Sequence, residues 1–381
     1  MTFKKLSEYF KLLEENSSRL KITEILADLF KEANKEEIDK ICYLSLGRLV
    51  PAYEGLEFQM AEKMMARAIA KAFGVEVEVV KREMKKEGDL GVVGERIKVQ
   101  GATPRLRSGQ ECKVQSLLGD LRDKGELGVV RVYGRLMEIA KERGEGSVER
   151  KVDKMAALLE DLDGLSVRFV VRIPLGKLRM GFSEMTVLDG LSWMLKGDKS
   201  LRHELEDAYN VVADIGEIAK RVKSSGNVKG IKPKIGTPIV SALAQRLGTV
   251  EEMLEKAGSE KEGVALEPKY DGERLQLHKD NGAIKMFTRN LENATNMFPE
   301  IAAALAKEVK AKEVILDSEG VGFDPKTGKF VPFQETIKRK RKHGIGEAAK
   351  EIPFKCFVFD IMYKDGIDLI KTPFIERRKI L

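Results

Sequence analysis

Glu267-Pro268-Lys269-Tyr270-Asp271-Gly272-Glu273-Arg274 is the stretch on which the reading of this chain turns. Val264-Ala265-Leu266 leads into it. Leu275 and Leu277 then alternate with Gln276 and His278, a period of two that predicts a strand leaving a turn. A lysine at such a junction is a candidate nucleophile. An amine attacks phosphorus only when unprotonated, so a nucleophilic lysine needs desolvation or neighbouring cations to favour its neutral form. Arg274 is the nearby cation in sequence. The pattern Lys-x-Asp-Gly alone arises by chance in roughly one chain in ten of this length at average residue frequencies. Its meaning depends on the residues downstream of it.

Beyond that stretch, residues 275–279 and 283–287 flank Asn281-Gly282, the pair that best tolerates the positive φ of a type I′ hairpin turn. Residues 296–310 read as a helix, and Glu313-Val314-Ile315-Leu316-Asp317 as a buried strand ending in acid. Lys326-Thr327-Gly328-Lys329 turns the next pair. Residues 354–363 read as a strand closed by Lys364-Asp365-Gly366, with Phe357 and Phe359 on one face. The second half is therefore expected to be α+β with an antiparallel sheet.

Upstream the period is helical. Phe10, Leu13, Leu20, Ile25, Leu26 and Phe30 recur largely at helix spacing, and residues 61–73, 151–162 and 185–195 repeat the pattern. Met64 and Met65 read as core filler rather than a binding surface. Ser183 is placed to cap the last of these helices and Trp193 to pack inward. Residues 167–173 are the exception, predicted as a short strand or buried extended segment. Ser224-Ser225-Gly226-Asn227 breaks the helices, and residues 228–238, with Lys229, Lys232 and Lys234, read as a connector. Residues 249–257 form a short helix capped by Thr249. The expected domains are 1–225 (helical), 226–260 (linker and short helix) and 261–381 (α+β).

At 381 residues the chain accommodates two or three domains, and 43% hydrophobic residues allow packed cores. Charged residues make up 34%, with a net charge of +7, a mixed but basic balance that fits a polyanionic partner. Cys42, Cys112 and Cys356 are scattered and odd in number, which favours buried thiols in a reducing compartment over disulfides. His203, His278 and His343 are equally dispersed, against a His/Cys zinc site. There is neither a signal-peptide pattern nor a long apolar run, so a cytoplasmic location is expected. Two loops cluster cations. Thr103-Pro104-Arg105-Leu106-Arg107-Ser108-Gly109 is breaker-rich and reads equally as a solvated loop or a DNA contact. Gly176-Lys177-Leu178-Arg179-Met180-Gly181 places two cations ahead of a helix start, a solvated turn or a phosphate site.

Taken in order, the motifs of the second half resemble those of ATP-dependent DNA ligases of the archaeal and eukaryotic replicative type. They are Lys269-Tyr270-Asp271-Gly272-Glu273-Arg274, Phe287-Thr288-Arg289-Asn290, Leu316-Asp317-Ser318-Glu319-Gly320, and Phe357-Val358-Phe359-Asp360-Ile361-Met362-Tyr363. The helical half is similar to the ligase DNA-binding domain at Leu46-Gly47-Arg48-Leu49 through Pro51-Ala52-Tyr53-Glu54, at Gly88-Asp89-Leu90-Gly91, and from Gly176 to Val187-Leu188. The resemblance covers nearly the whole chain and is weakest around 98–125.

The resemblance implies an all-α DNA-binding domain followed by an adenylation domain that seals nicks in duplex DNA during replication, repair and recombination. It implies Lys269 as the amine that takes AMP, Glu267 as acceptor for the adenine amino group, and Phe359 stacked on the adenine ring. Arg274 and Arg289 would hold ribose and phosphate. Glu319 would touch the ribose or a Mg²⁺ ion that also takes phosphate oxygens. ATP and Mg²⁺ are thus the implied cofactors, nicked DNA the partner, and a monomer the expected state. Arg105, Arg107, Lys177 and Arg179 are candidate DNA contacts. So are Lys338 and Arg339 in the run Lys338-Arg339-Lys340-Arg341-Lys342, which comes after Phe333-Gln334 as a similar basic stretch does in the family and reads equally as a solvated helix face.

Gln115-Ser116-Leu117-Leu118 lies where some relatives carry a sliding-clamp peptide but lacks its paired aromatics. Leu381 falls before the family's second metal glutamate, its Lys-x-Lys motif and its OB-fold, so the adenylation domain is expected to be incomplete at the C-terminus. Ala242 stands where relatives usually place Met. Two other readings use the same residues. One is an RNA ligase or capping-type nucleotidyltransferase, against which the helical half argues. The other is a DNA-binding module with an inert half-domain.

Overall fold

A computed structural model describes residues 1–100, 126–257, 263–337, 339 and 345–381. The chain divides into two units, Met1–Tyr209 with Asp214–Lys229, and Asn210–Ala213 with Gly230–Leu381. Among the described residues no helix is long and apolar enough to cross a membrane.

The first unit is helical throughout its described regular structure. Its helices are α1 (Phe3–Glu14), α2 (Arg19–Glu32), α3 (Ile38–Ser45), α4 (Glu62–Phe73), α5 (Val77–Glu87) and α6 (Leu90–Gln100). They continue with α7 (Val129–Lys141), α8 (Ser147–Glu160), α9 (Gly164–Arg172), α10 (Glu184–Lys196), α11 (Arg202–Val211) and α12 (Ile215–Ser225). Side-chain caps start several of them, since an N-cap oxygen satisfies an amide the helix cannot. Thr2, Ser18 and Asp214 do this for α1, α2 and α12. Helix α2 approaches α10 closely at Gly190, where a Cβ would lie 2.9 Å from that of Leu26.

Two expectations fail here. Residues 164–172 form helix α9, not an extended segment. Asp163 caps it by accepting from the Ser166 amide, and Val167, Phe169, Val170 and Val171 are all buried. A helix buried nearly all round loses the polar stripe that marks its period, so its β-branched residues read as a strand. Ser183 does occupy the N-cap position of α10, but its side chain makes no capping bond.

A buried ionic cluster ties α6 to α9. Arg172, 3% exposed, donates to Asp89 at 2.8 Å and to Glu14 at 2.9 Å. Asp89 also accepts from the amide of Gly91 at 2.8 Å, which caps α6. Burial works to raise the Asp89 pKa, but its bonds to Arg172 and the α6 amides outweigh it and hold the carboxyl below its usual range.

The second unit is α+β. Strands β1 (Glu273–Asp280), β2 (Ala283–Thr288), β3 (Glu313–Gly322), β4 (Phe354–Lys364) and β5 (Ile367–Asp368) form one antiparallel sheet in the order β2-β1-β3-β4-β5. The hairpin turn is as expected. Asp280 pairs with Ala283, and Asn281 and Gly282 both take positive φ, 45° and 99°. Helices α13 (Val250–Ala257), α14 (Pro299–Glu308), α15 (Phe333–Ile337), α16 (Ile345–Glu351) and α17 (Phe374–Ile380) complete the described elements. The Thr249 hydroxyl accepts from the Glu252 amide and so caps α13. The helix expected from residue 296 starts at Pro299, after a short 3-10 turn over Thr295–Met297, because Pro suits a first helical position and no interior one.

The two faces of β1 differ. Leu275 and Leu277 join Met286, Leu316, Phe298, Ile301 and Leu305 in a core covered by α14. Arg274, Gln276 and His278 point the other way, and that face carries the site.

Candidate functional site: a cleft beside the end of β1

A cleft of about 840 Å³ opens where residues 265–274 run into β1. Its lining includes Glu267, Lys269, Arg274, Arg289, Glu319 and Phe359, so all six sequence-predicted nucleotide residues meet in one cavity. They come from four separated segments that the sheet brings together. Register places Arg274 opposite Glu319 across β1 and β3. The β1–β2 hairpin carries Thr288-Arg289-Asn290 to the same end.

The loop carrying Lys269 is held from below. Gly272 lies so close to β3 that an added Cβ would stand 2.3 Å from the Gly320 carbonyl oxygen, which only glycine permits. The Gly272 amide donates to Glu319 Oε1 at 3.1 Å. Tyr270 stacks on Phe357, with ring centroids 4.3 Å apart and planes at 15°. Lys269 and Glu267 themselves are exposed at the cleft. Burial by the chain's own residues therefore does not supply the desolvation a nucleophilic lysine needs. The cations lining the cleft, Arg274, Arg289 and Arg378, are the available aid.

Arg274 is engaged with protein. It makes a two-pronged ion pair with Asp317, its Nε 3.0 Å from Oδ1, and its guanidinium lies 5.6 Å from the centroid of the Phe359 ring. Phe359 has no partner on β3, since Val358 pairs with Ser318 and Asp360 with Asp317. A bulge at this point re-aims a strand side chain. It separates Phe359, which lines the cleft, from Phe357, which stacks on Tyr270. Helix α17 braces the bulge: Arg377 grips Asp360 at 2.7 and 2.8 Å, and Arg378 donates to the Phe359 carbonyl at 2.9 Å.

Burial pushes the Glu319 carboxyl above its ordinary range, partly offset by the Gly272 amide and the charges of Arg274 and Lys269. Among the described residues no cluster of three or more His, Cys, Asp or Glu is placed to hold a metal. A lone carboxylate fits Mg²⁺ only as one ligand beside phosphate oxygens, the way that ion usually binds nucleotides. Glu319 meets that description, and the residues fit an ion brought in with a nucleotide.

Sequence reasoning missed Asp317, Phe374, Arg378 and the wall formed by Ala242, Leu243 and Ala244, all but Asp317 lining the cleft. Phe374 and Arg378 are four apart on α17, a spacing that signals one helix face.

The candidate DNA contacts fare unevenly. Lys177 and Arg179 lie on the surface of the first unit and are already paired, Lys177 with Glu62 at 2.5 Å and Arg179 with Asp89 at 3.7 Å. Their loop is more than a helix start, because Gly176, Arg179 and Gly181 all take positive φ. Arg339 corrects the expectation outright. It is 1% exposed, paired with Glu300, and packed over the rings of Phe298 and Phe354. A guanidinium buried there belongs to the core and is not offered to DNA. Arg105, Arg107, Lys338 and the segment 115–118 lie outside the described residues.

A family model described as DNA ligase N terminus matches residues 2–192, and one described as ATP dependent DNA ligase domain matches residues 241–381. A probable DNA ligase of Dictyoglomus turgidum is 41% identical over 383 residues, an alignment covering 100% of this chain and 61% of that protein. A DNA ligase of Acidianus ambivalens is 41% identical over 385 residues, covering 100% and 62%. DNA ligase 2 of Thermofilum pendens is 39% identical over 378 residues, covering 99% and 61%. The chain thus spans about three fifths of the length of these curated relatives.

Proposed function

The chain belongs to the ATP-dependent DNA ligase family, and on that premise we propose that its second unit takes AMP from ATP onto Lys269 as the first step of sealing nicked duplex DNA. The observation that carries this is the convergence of Lys269, Glu267, Arg274, Arg289, Glu319 and Phe359 on one cleft of nucleotide size.

The side chains set the chemistry. Lys269 Nζ, having lost a proton to solvent, attacks the α-phosphorus of ATP. A P–N bond forms and pyrophosphate leaves in line. Arg289 and Arg378 oppose the charge that builds on phosphate oxygens. Phe359 offers an aromatic face to the purine, and Glu267 an acceptor for its amino group. Mg²⁺ bound with the nucleotide would neutralise phosphate charge beside Glu319. A 5′-phosphate oxygen of the nick then attacks the AMP phosphorus and frees Lys269. The adjacent 3′-hydroxyl attacks the 5′-phosphorus, closes the phosphodiester and expels AMP. The first unit supplies DNA affinity, with Lys177 and Arg179 as its phosphate contacts.

Incubation with α-labelled ATP and Mg²⁺ tests this. Protein-bound label that is stable to base, lost in Lys269→Ala and undiminished by excess GTP supports it. Label displaced by GTP points to a capping enzyme. No label, with retained binding to nicked duplex, points to a DNA-binding module.

A further inference from the structure

We propose that Gln276 and His278 are positioning residues for the nucleotide, latching residues 236–240 across the outer face of β1 and thereby fixing the cleft wall at Ala242, Leu243 and Ala244. The identity of the ligand rests on the function proposed above; the latch itself rests on geometry.

Composition marks residues 228–238 as a connector, yet the stretch 236–240 is fastened in place. Gln276, 6% exposed, meets the Ile239 backbone with both ends of its amide. Oε1 accepts from the Ile239 amide at 2.7 Å, and Nε2 donates to the Ile239 carbonyl at 3.0 Å. His278, 1% exposed, lies two residues along the same face. Its Nδ1 accepts from the Gly236 amide at 3.0 Å, and its Nε2 is 2.9 Å from Gln276 Oε1. These contacts fix the tautomer, with the proton on Nε2 and donated to Gln276. The Phe287 ring closes the site edge-on to the imidazole at 5.0 Å. Gly236 takes φ of 84°, and an added Cβ there would come within 3.2 Å of Lys285 Nζ.

The latch ends three residues before the cleft. Residues 241–247 carry no regular hydrogen-bonded structure, and Ala242, Leu243 and Ala244 line the same cavity as the Lys269 loop. An irregular wall is placed by whatever anchors its ends, and here the buried Gln276 pair at Ile239 acts beside the Val240 amide, which donates to the Asn210 carbonyl at 2.8 Å. Arg274, Gln276 and His278 alternate along one strand face, so one side of β1 both contributes a cleft residue and holds the strap that leads into the cleft wall.

The test uses the full chain and four proteins: parent, Gln276→Leu, Gln276→Glu, which keeps the acceptor for the Ile239 amide, and Gly236→Ala, which strains the strap from its own side. ATP affinity, the ATP dependence of self-labelling, and exchange of the Val240 amide, which donates to the Asn210 carbonyl at 2.8 Å, are measured. Gln276→Leu is expected to weaken ATP binding about tenfold or more, leave the labelling rate at saturating ATP within about twofold, and speed exchange of the Val240 amide. Gln276→Glu should fall between it and the parent, and Gly236→Ala should behave as Gln276→Leu does. Unchanged ATP affinity and unchanged exchange at Val240, with only the unfolding midpoint lowered, would overturn the proposal. If the parent takes no label, the function above fails instead. Exchange at Val240 in Gln276→Leu and Gly236→Ala then decides the latch alone, faster supporting it and unchanged refuting it.

Discussion

Acid should loosen the second unit through one imidazole. His278 is enclosed by the Gly236 amide, Gln276 and the Phe287 ring, with the Lys285 charge nearby. Burial first, and Lys285 second, lower its pKa from 6.5 to about 3. Proton counting gives the sign. Between these values the unfolded chain binds a proton that the folded chain refuses, so stability is lost as pH falls below the unfolded value. Linkage with 6.5 unfolded and about 3 folded gives about 2 kcal/mol lost from pH 7 to 5, and about 3 by pH 4. Carboxylates also titrate in that range, so the comparison must isolate the imidazole. His278→Asn keeps an acceptor for the Gly236 amide but cannot titrate. It is expected to be the less stable protein at pH 7, with the gap closing by about 2 kcal/mol at pH 5. Trp193, the chain's single tryptophan, lies in the first unit and does not report on the second. Amide exchange in β1 and β3, corrected for the intrinsic rate at each pH, is the suitable probe. Parent and variant losing stability in parallel from pH 7 to 5 would refute the reasoning.

Three further outcomes are expected. Glu319→Gln should raise the unfolding midpoint of the second unit at neutral pH while abolishing the label on Lys269. Burial makes the folded chain hold this proton to higher pH than the unfolded chain, so the ionised carboxylate costs stability as pH rises past its unfolded value; a lowered midpoint by amide exchange would contradict this. Arg172→Met strands Asp89 in the interior without its buried partner, while the half-buried Glu14 keeps Arg168, and should cost about 3–5 kcal/mol. Urea unfolding followed at Trp193 measures it, and a loss under about 1 kcal/mol would mean the carboxylates find other partners. Lys177→Ala and Arg179→Ala should each lower the slope of log affinity for nicked duplex against log salt by about one. Anisotropy at several salt concentrations reads this, and unchanged slopes would leave both side chains as partners of Glu62 and Asp89 alone.

That the candidate nucleotide residues would meet at one cleft was legible in the sequence because each lies in a short motif whose local form is set by neighbours. Lys269 needs only a turn closed by a glycine, and Arg289 only a hairpin whose Asn-Gly turn fixes the register. What the motifs hid is which partner each side chain takes. Arg274 reads as a free cation until register brings Asp317, 43 positions away, against it. Arg339 is one of five consecutive cations in sequence, and nothing local marks it for burial. The same holds for α9, whose interior position erased the stripe that would have marked it.

Gln276 and His278 show the same effect most strongly. Their alternation with Leu275 and Leu277 predicts a strand with one apolar and one polar face, which is correct. A polar face on an antiparallel strand ordinarily meets water. Here it meets the backbone of residues 236–240, and water is excluded so completely that the imidazole resists protonation. Period reports which residues face together and is silent on what covers them. A glutamine and a histidine two apart can satisfy an irregular strap's amides and carbonyls, which apolar side chains could not. The polar face of β1 is thus an interior surface built for backbone, and the cleft wall inherits its position from it.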